Sequence, residues 1–181
     1  MKSNFLKAAL ISSALSLFST AGLAGPQYVD ETGYAASGYD VVAFHDLQQA
    51  APGSQQLEAI PGQASITAKF NDSVWAFSTE ENRDKFLADP AKYAPAYDGH
   101  CAYGVAQGAK VPGNPNLWRI VDDTLYLNIN PQVVSLWEPD IAGQIATADD
   151  KWLKYEKKKP SKKSWRKMKQ NKYTYSTPAP L

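Results

Sequence analysis

The stretch ITAKFNDSVWAFS, residues 66–78, decides the fold of this chain. Residues 66–70 alternate apolar and polar side chains, residues 71–73 have the composition of a turn, and residues 74–78 return with two aromatic rings. Alternation on both sides of a short turn is typical of an antiparallel β-hairpin. The following Ser78-Thr79-Glu80-Glu81 matches a capping box, which predicts that a helix begins here with Glu81 reaching back to the Ser78 amide.

The same order recurs further along the chain. LWRIVDDTLYLNI, residues 117–129, predicts a second hairpin, and Asn130-Pro131 reads as the N-cap and first residue of a helix. Another helix is predicted from near Pro139, with residues 141, 145, 148, 152 and 155 on its apolar face. Two hairpin-plus-helix units predict a small single α+β domain, in which helices cover one side of antiparallel strands.

The amino terminus predicts export. Lys2 and Lys7 precede an apolar run over residues 8–18, and Gly22 and Ala24 supply the small residues that a signal peptidase requires. Residues 1–24 are therefore predicted to be a signal peptide, and the product periplasmic or secreted. The apolar run is too short to remain as a membrane span, and no transmembrane segment is predicted after it. Residues 25–156 then form the domain, and residues 157–181 a flexible tail.

Charge divides the chain sharply. Residues 25–150 carry 17 acidic and six basic side chains, whereas residues 151–181 carry 11 basic side chains and one acidic one. The tail is too charged to bury, and three roles stay open. It is a solvated extension, it docks on anionic lipid or polysaccharide of the envelope through its lysines and aromatic side chains, or it folds back onto the acidic body. Nucleic acid is a poor partner for an exported chain.

The chain has one cysteine, Cys101, which lies between the two units beside one of only two histidines, His100. Gly99 is predicted to cap a short helix, so that Cys101 falls in its first turn, where the helix macrodipole favours a thiolate. The alternative is a buried cysteine that packs as a small apolar side chain. One cysteine forms no disulfide within its own chain, so an exported thiol is expected to be buried, metal-bound, joined to another molecule or redox-active.

Several short motifs occur in an order that resembles a known family. They are GYDVVAF from residue 38, WAFS from 75, DPAKYAP from 89, GHCAY from 99, WRIV from 118 and LYLN from 125. Together they resemble the exported, single-cysteine branch of the YHS domain family over residues 38–152. The resemblance implies a small metal-associated module, and some similar members are read with selenocysteine at the position of Cys101. The chain departs from metal-linked branches by lacking their second cysteine, and it has Asp98 where relatives often have glycine.

Three functions follow from these residues. In the first, which the sequence favours, Cys101 binds a soft metal ion such as copper without catalytic turnover, and His100 or His45 adds an imidazole ligand. Asp46 would then orient the His45 ring, although His45 also reads as an ordinary surface residue.

In the second, Cys101 is the nucleophile of a thiol-redox enzyme or peroxide sensor, with His100 stabilising the thiolate. In the third, the protein is a non-catalytic envelope scaffold or interaction module in which Cys101 only packs. Hydrolase and phosphate-loop motifs are missing from the sequence, which favours a non-enzymatic role and leaves an enzymatic one open. The sequence leaves the oligomeric state open.

Overall fold

The structure, a computed structural model, describes residues 27–158 and 179–181. The predicted signal peptide and most of the predicted basic tail lie outside these residues. The elements are β1 (Gln63–Phe70), β2 (Ser73–Phe77), α1 (Glu80–Ala88), α2 (Pro90–Tyr93), α3 (Ala102–Ala106), β3 (Asn114–Val121), β4 (Thr124–Asn128), α4 (Pro131–Trp137) and α5 (Ile141–Tyr155). The predicted α+β class, with two hairpin-plus-helix units, is confirmed.

Each hairpin forms its own two-stranded antiparallel sheet, β1 with β2 and β3 with β4. Both turns are built from two residues with positive φ, Asn71-Asp72 and Asp122-Asp123. This backbone matches the right-handed twist of the strands, and Asn and Asp tolerate it well. Both hairpins begin earlier than the sequence predicts, at Gln63 and Asn114, because a bulge extends each first strand beyond its alternating part.

The likeness of the two units extends upstream of the hairpins. The amide of Gly62 donates to the carbonyl of Gly38 at 2.9 Å, and the amide of Gly113 donates to the carbonyl of Gly99 at the same distance. Gly38 and Gly99 both have positive φ and both close a left-handed turn. The two halves therefore share a backbone hydrogen bond between two glycines, Gly62 to Gly38 and Gly113 to Gly99, which we call the glycine clasp. The hairpin pattern alone does not predict it.

Helix starts agree with the sequence in part. Asn130 caps α4 as predicted, its side chain accepting from the Val133 amide at 2.8 Å. The capping box predicted at Ser78 is wrong, because Thr79 is the N-cap of α1 and accepts from the Asn82 amide. The last helix begins at Ile141 rather than near Pro139, since a 3₁₀ turn, Glu138–Asp140, precedes it.

Two apolar clusters form the core. The first joins both hairpins to α1 and the segment before β1, and the second lies between α3, α4, α5 and the outer side of β4. The predicted face of α5 packs on the second cluster through Ile141, Ile145, Ala148 and Trp152. The largest buried side chains of the first are Trp75, Trp118, Tyr39, Phe44, Phe77 and Phe86.

The last three residues pack against the first half of the domain. The Leu181 amide donates to the Gly62 carbonyl at 2.8 Å, and the Ala64 amide donates to the Leu181 carbonyl at 2.7 Å. Pro180 lies so close to Gly38 that a Cβ there would meet it at 2.6 Å. Residues 179–181 therefore contact the acidic body, whereas residues 159–178 of the predicted tail lie outside the described residues. Over the described parts of the chain, no helix combines the length and apolar character needed to cross a bilayer.

Candidate functional site

Cys101 is sealed inside the domain, with none of its surface exposed. It is itself the N-cap of α3, and its Sγ accepts from the Gly104 amide at 3.3 Å. The prediction that Gly99 caps this helix is therefore wrong, because Gly99 belongs to the preceding left-handed turn. The backbone of Cys101 is tied to the loop after α3, since the Cys101 amide donates to the Val111 carbonyl at 2.8 Å.

Burial controls the protonation of this thiol. Removal from water raises the pKa of Cys101 to about 11, and the amides of Gly104, Ile129 and Tyr103 lower it by less than burial raises it. The expectation that the helix start lowers the pKa of the thiol is thus not met. The helix has only five residues, and the field at its end does not offset complete desolvation. At neutral pH the side chain is a thiol.

Cys101 occupies the position that Asp40 holds in the other half. The Asp40 amide donates to Ile60 as the Cys101 amide donates to Val111. Asp40 also caps the turn that follows it, accepting from the amides of Val42 and Ala43. Its second oxygen accepts from Ser78 after β2, as Cys101 accepts from the amide of Ile129 after β4. The same backbone position thus carries a carboxylate cap in one half and a sulfur cap in the other.

His100 is also buried, with only 1% of its surface exposed. Its Nδ1 lies 2.8 Å from the Tyr97 carbonyl, and burial lowers the pKa of the imidazole to about 4. The ring is therefore neutral at pH 7, with Nδ1–H donating to the carbonyl. Its Nε2 is buried and has no hydrogen-bond partner among the described residues. The ring packs between Tyr28 and Trp152, at centroid distances of 5.6 and 6.0 Å.

The backbone leading to His100 is strained. Tyr97, Asp98 and Gly99 all have positive φ, which is costly for residues other than glycine. Burial raises the pKa of the Asp98 carboxyl to about 6, while the nearby Lys110 ammonium opposes the shift. Lys110 in turn donates to the Glu156 carbonyl at 2.7 Å and lies over the Trp152 ring. These contacts tie α5 to the segment that holds His100 and Cys101.

His45 lies in a different environment. Its ring packs edge-on against Tyr93 at 5.2 Å, and burial together with Lys92 lowers the pKa of the imidazole, while Asp123 and Asp46 oppose the shift. In residues 27–158 and 179–181, no three side chains of His, Cys, Asp or Glu come together as a metal-binding group. The three predicted ligands thus reduce to two buried neighbours, Cys101 and His100, and one separate histidine.

An open cleft lies next to this buried segment. Its volume is about 700 Å³, within the range of small-molecule sites. Asn128 at the end of β4 lines it, and the Asn128 side-chain oxygen accepts from Cys101 Sγ at 3.5 Å and from the Tyr103 amide at 3.2 Å. Cys101 therefore supports a wall residue of the cleft. The cleft is lined by residues 52–56, 58, 116–119, 128, 131, 134, 135 and 137–139.

A buried ion pair and an indole give the cleft its polarity. Arg119 donates through Nη2 to Glu138 and through Nη1 to the Ala50 carbonyl at 3.1 Å. The Nε of Arg119 and the Nε1 of Trp137 are buried and have no hydrogen-bond partner in the described part of the chain. Both residues line the cleft and are more than nine-tenths buried. Because these two N–H groups have almost no accessible surface, a ligand in the open cleft does not reach them, and both residues line the cleft through other atoms.

The loop before β1 forms one side of the cleft. Three bonds fix it: the Gly53 amide donates to Glu138 at 2.6 Å, the Trp118 indole to the Leu57 carbonyl at 2.8 Å, and the Ile120 amide to Gln49 at 2.6 Å. The sequence reasoning missed this site. Its only local signals were two motifs. Trp118-Arg119 lies within a predicted strand and is equally typical of a core position, and Trp137-Glu138-Pro139 is equally typical of a turn at a helix end.

The comparisons with known proteins add no assignment: no family model matches the chain, and neither a curated protein nor a solved structure does. The resemblance to the YHS domain family stays a prediction that depends on the sequence motifs alone.

Proposed function

We propose that this is an exported, non-catalytic binding protein that holds a small molecule in the cleft between the loop before β1 and α4. One observation carries the proposal: a cleft of about 700 Å³ is lined by apolar side chains, among them Leu117, Val134 and Trp118, together with polar side chains such as Asn116 and Asn128. Such a combination of apolar space and few convergent polar groups is typical of a ligand site.

Cys101 has a supporting role in this proposal. A thiol whose pKa is about 11 is a poor nucleophile at neutral pH, since the thiolate is the reactive form. Its contacts are structural: the sulfur accepts from the Gly104 amide as the N-cap of α3, and it donates to Asn128 on the cleft wall. The thiol-redox function stays a prediction, and the burial of the sulfur weighs against it.

The test is a titration of the ¹⁵N-labelled protein with three fragments, indole, naphthalene and 2-naphthoate, followed by amide chemical shifts. We expect saturable shifts for at least one fragment at residues 52–56, 116–119 and 131–138, and the same dissociation constant in Cys101→Ser. Absence of saturable binding by all three fragments contradicts the proposal. So does binding that maps outside the cleft or that disappears in Cys101→Ser while the fold persists.

A second candidate is soft-metal binding by Cys101 and His100, and one observation favours it. His100 is neutral and its Nε2 lone pair has no partner in the described residues, so a nitrogen donor is available on the residue that precedes the only cysteine. The proposal requires the thiol to lose its proton on binding, which competes against a raised pKa.

Competition titration with Cu(I) and a chromogenic chelator tests this second candidate. Metal binding predicts one Cu(I) per chain, lost in Cys101→Ser and weakened in His100→Gln, with His45→Gln as the matched control. Failure to withdraw Cu(I) from the chelator, or an unchanged titration in Cys101→Ser, contradicts it.

A further inference from the structure

The last three residues lie along the edge of β1 that faces away from β2, in the manner of a short added strand. The Leu181 amide donates to the Gly62 carbonyl, and the Ala64 amide donates to the Leu181 carbonyl, at 2.8 and 2.7 Å. Two bonds from one residue to the neighbours on either side of Gln63 have the pattern of parallel strand pairing. Among the described elements β1 pairs only with β2, so its other edge is open to such an addition. Addition of a strand to a sheet edge is a common way in which domains bind extended peptides.

A proline fits at this edge because Gly38 leaves room for its ring. A Cβ on Gly38 would lie 2.6 Å from Pro180 Cδ and 3.0 Å from the Ala179 carbonyl carbon. Proline has no N–H to leave unpaired, and its fixed φ reduces the entropy lost when the segment docks. Ala179 packs beside it against the first apolar cluster. The edge therefore fits an extended segment in which a small apolar residue precedes a proline.

The equivalent turn of the second half is also covered by a segment from elsewhere in the chain. A Cβ on Gly99 would lie 2.8 Å from Gln27 Nε2. Gln27 Nε2 and the Tyr28 amide both donate to the Asp98 carbonyl, at 2.7 and 2.8 Å. Each of the two left-handed glycine turns thus has a second segment packed against it.

The two covering segments differ in burial. Gln27 is 9% exposed and Tyr28 is 8% exposed, whereas Leu181 is 64% exposed and Pro180 is half-buried. The segment on the first half also has only two main-chain hydrogen bonds to β1 and the residue before it. Opening free energies are low where few apolar contacts are buried and the backbone hydrogen bonds are exposed. Residues 179–181 are therefore the more easily released of the two covers.

We infer that the groove formed by Gly38, Gly62 and Ala64 is a binding site for an extended segment of a partner protein in which a small apolar residue precedes a proline. Residues 179–181 are the internal ligand of this groove, and the partner segment binds by taking their place. The groove shares no residue with the cleft, so this inference is independent of the proposed small-molecule function.

The experiment uses the full-length, ¹⁵N-labelled variant Ala179→Asp, in which a carboxylate at the apolar contact of Ala179 releases residues 179–181 from the groove. The peptide acetyl-STPAPL-amide, which repeats residues 176–181, is titrated into it and followed by amide chemical shifts. We expect saturable shifts at Gly38, Gly62 and Ala64. The expected dissociation constant is about 1 mM or less, as for two main-chain hydrogen bonds and a small apolar contact.

Two modified peptides are the matched controls. Methylation of the leucine nitrogen removes the donor to the Gly62 carbonyl and keeps every side chain, so we expect about tenfold weaker binding. Aspartate at the position of Ala179 should abolish binding at the same concentrations. Should the variant Ala179→Asp fail to fold, the peptides are titrated into the native protein. Binding there must shift the amides of the groove and that of Leu181, because residues 179–181 are displaced.

Three outcomes overturn the inference. The first is the absence of saturable shifts at the groove amides up to about 5 mM peptide. The second is equal affinity of the peptide and its N-methyl form, because it excludes strand addition. The third is dimerisation of the native protein that is lost in Ala179→Asp, measured by sedimentation, because it assigns the groove to residues 179–181 of a second copy instead of a separate partner.

Discussion

Cys101 illustrates how burial, rather than sequence neighbours, determines the chemistry of a side chain. A cysteine beside a histidine at a helix start predicts a thiolate, and the helix start is indeed present. The sulfur is nevertheless fully buried, which disfavours the thiolate. The His100 imidazole is neutral, so it supplies no positive charge that would stabilise one. Which residues close over a side chain depends on contacts far along the chain, such as Asn128, and these are not visible in a local motif.

The capping role of Cys101 predicts graded effects of substitution. Cys101→Ala removes the acceptor for the Gly104 amide and leaves a small cavity, so we expect the free energy of unfolding to fall by about 1–3 kcal/mol. Cys101→Ser keeps an acceptor at the cap and a donor for Asn128, and should lose less. Urea denaturation of both variants measures this. Equal stability of Cys101→Ala and the native protein would contradict the structural role.

His100 predicts a pH dependence of stability. Its pKa is about 4 when folded and 6.5 in its ordinary state, so the unfolded chain binds the proton first as the pH falls. Stability from the neutral ring is fully present above pH 6.5 and is lost as the pH falls through about 4, by up to about 3 kcal/mol.

The variant His100→Gln isolates this contribution, because Asp98 titrates in both proteins. The pKa of Asp98 is raised to about 6, so its own contribution runs the other way and is lost as the pH rises through that value. We expect the stability difference between native protein and His100→Gln, measured by urea denaturation, to shrink between pH 7 and pH 4. A difference that is constant with pH would contradict burial of a neutral ring.

At the scale of elements, the sequence predicts most of the structure because the signals are local. The turns at Asn71-Asp72 and Asp122-Asp123 carry residues that accept positive φ, and alternating strands flank them. Helix caps are less certain by pattern: Ser78 fits a capping box, yet its hydroxyl donates to Asp40 at 2.6 Å and the next residue caps the helix. The sequence of residues 78–81 alone does not show that the carboxylate of Asp40 binds the Ser78 hydroxyl.

The glycine clasp predicts a matched pair of substitutions. A Cβ on Gly62 would meet the Ala76 carbonyl carbon at 2.5 Å, and one on Gly113 would meet the Leu127 Cβ at 2.5 Å. Neither neighbour has a flexible end that moves aside, so Gly62→Ala and Gly113→Ala should each lower the free energy of unfolding by more than about 2 kcal/mol. Thermal denaturation measures it.

Gly33→Ala is the control, since its Cβ would meet nothing within 4 Å and only the positive φ costs energy. If Gly62→Ala or Gly113→Ala is as stable as Gly33→Ala, the prediction that close packing at these two glycines stabilises the fold is contradicted.

At the scale of the whole molecule, the cleft depends on contacts that no single element contains. Arg119 on β3, Glu138 after α4 and Gly53 in the loop before β1 meet there, although they are far apart in sequence. The hairpin pattern places Trp118 in a strand, but it does not say that open space remains beside this residue. Composition does not indicate the contact of residues 179–181 with β1 either, because the two backbone hydrogen bonds involved join residues more than 100 positions apart.

The packed carboxyl terminus predicts a loss of stability on truncation. Removing residues 179–181 deletes two backbone hydrogen bonds, to Gly62 and Ala64, and uncovers Gly38. We expect the free energy of unfolding to fall by about 1–3 kcal/mol, as for two hydrogen bonds and the apolar contact of Ala179 with the core. Lys157→Ala, at an exposed position, is the control. Identical thermal unfolding of truncated and native protein would contradict the packing.

Burial of the Cys101 thiol is measured by its rate of alkylation by iodoacetamide between pH 6 and pH 12, in native buffer and in urea. A buried structural thiol predicts slow modification of the native protein at pH 7, with a rate that rises only toward pH 11, whereas the unfolded chain titrates near 8.5. A native rate at pH 7 equal to that in urea, or a native midpoint at or below 8.5, would show a reachable thiolate and contradict the account.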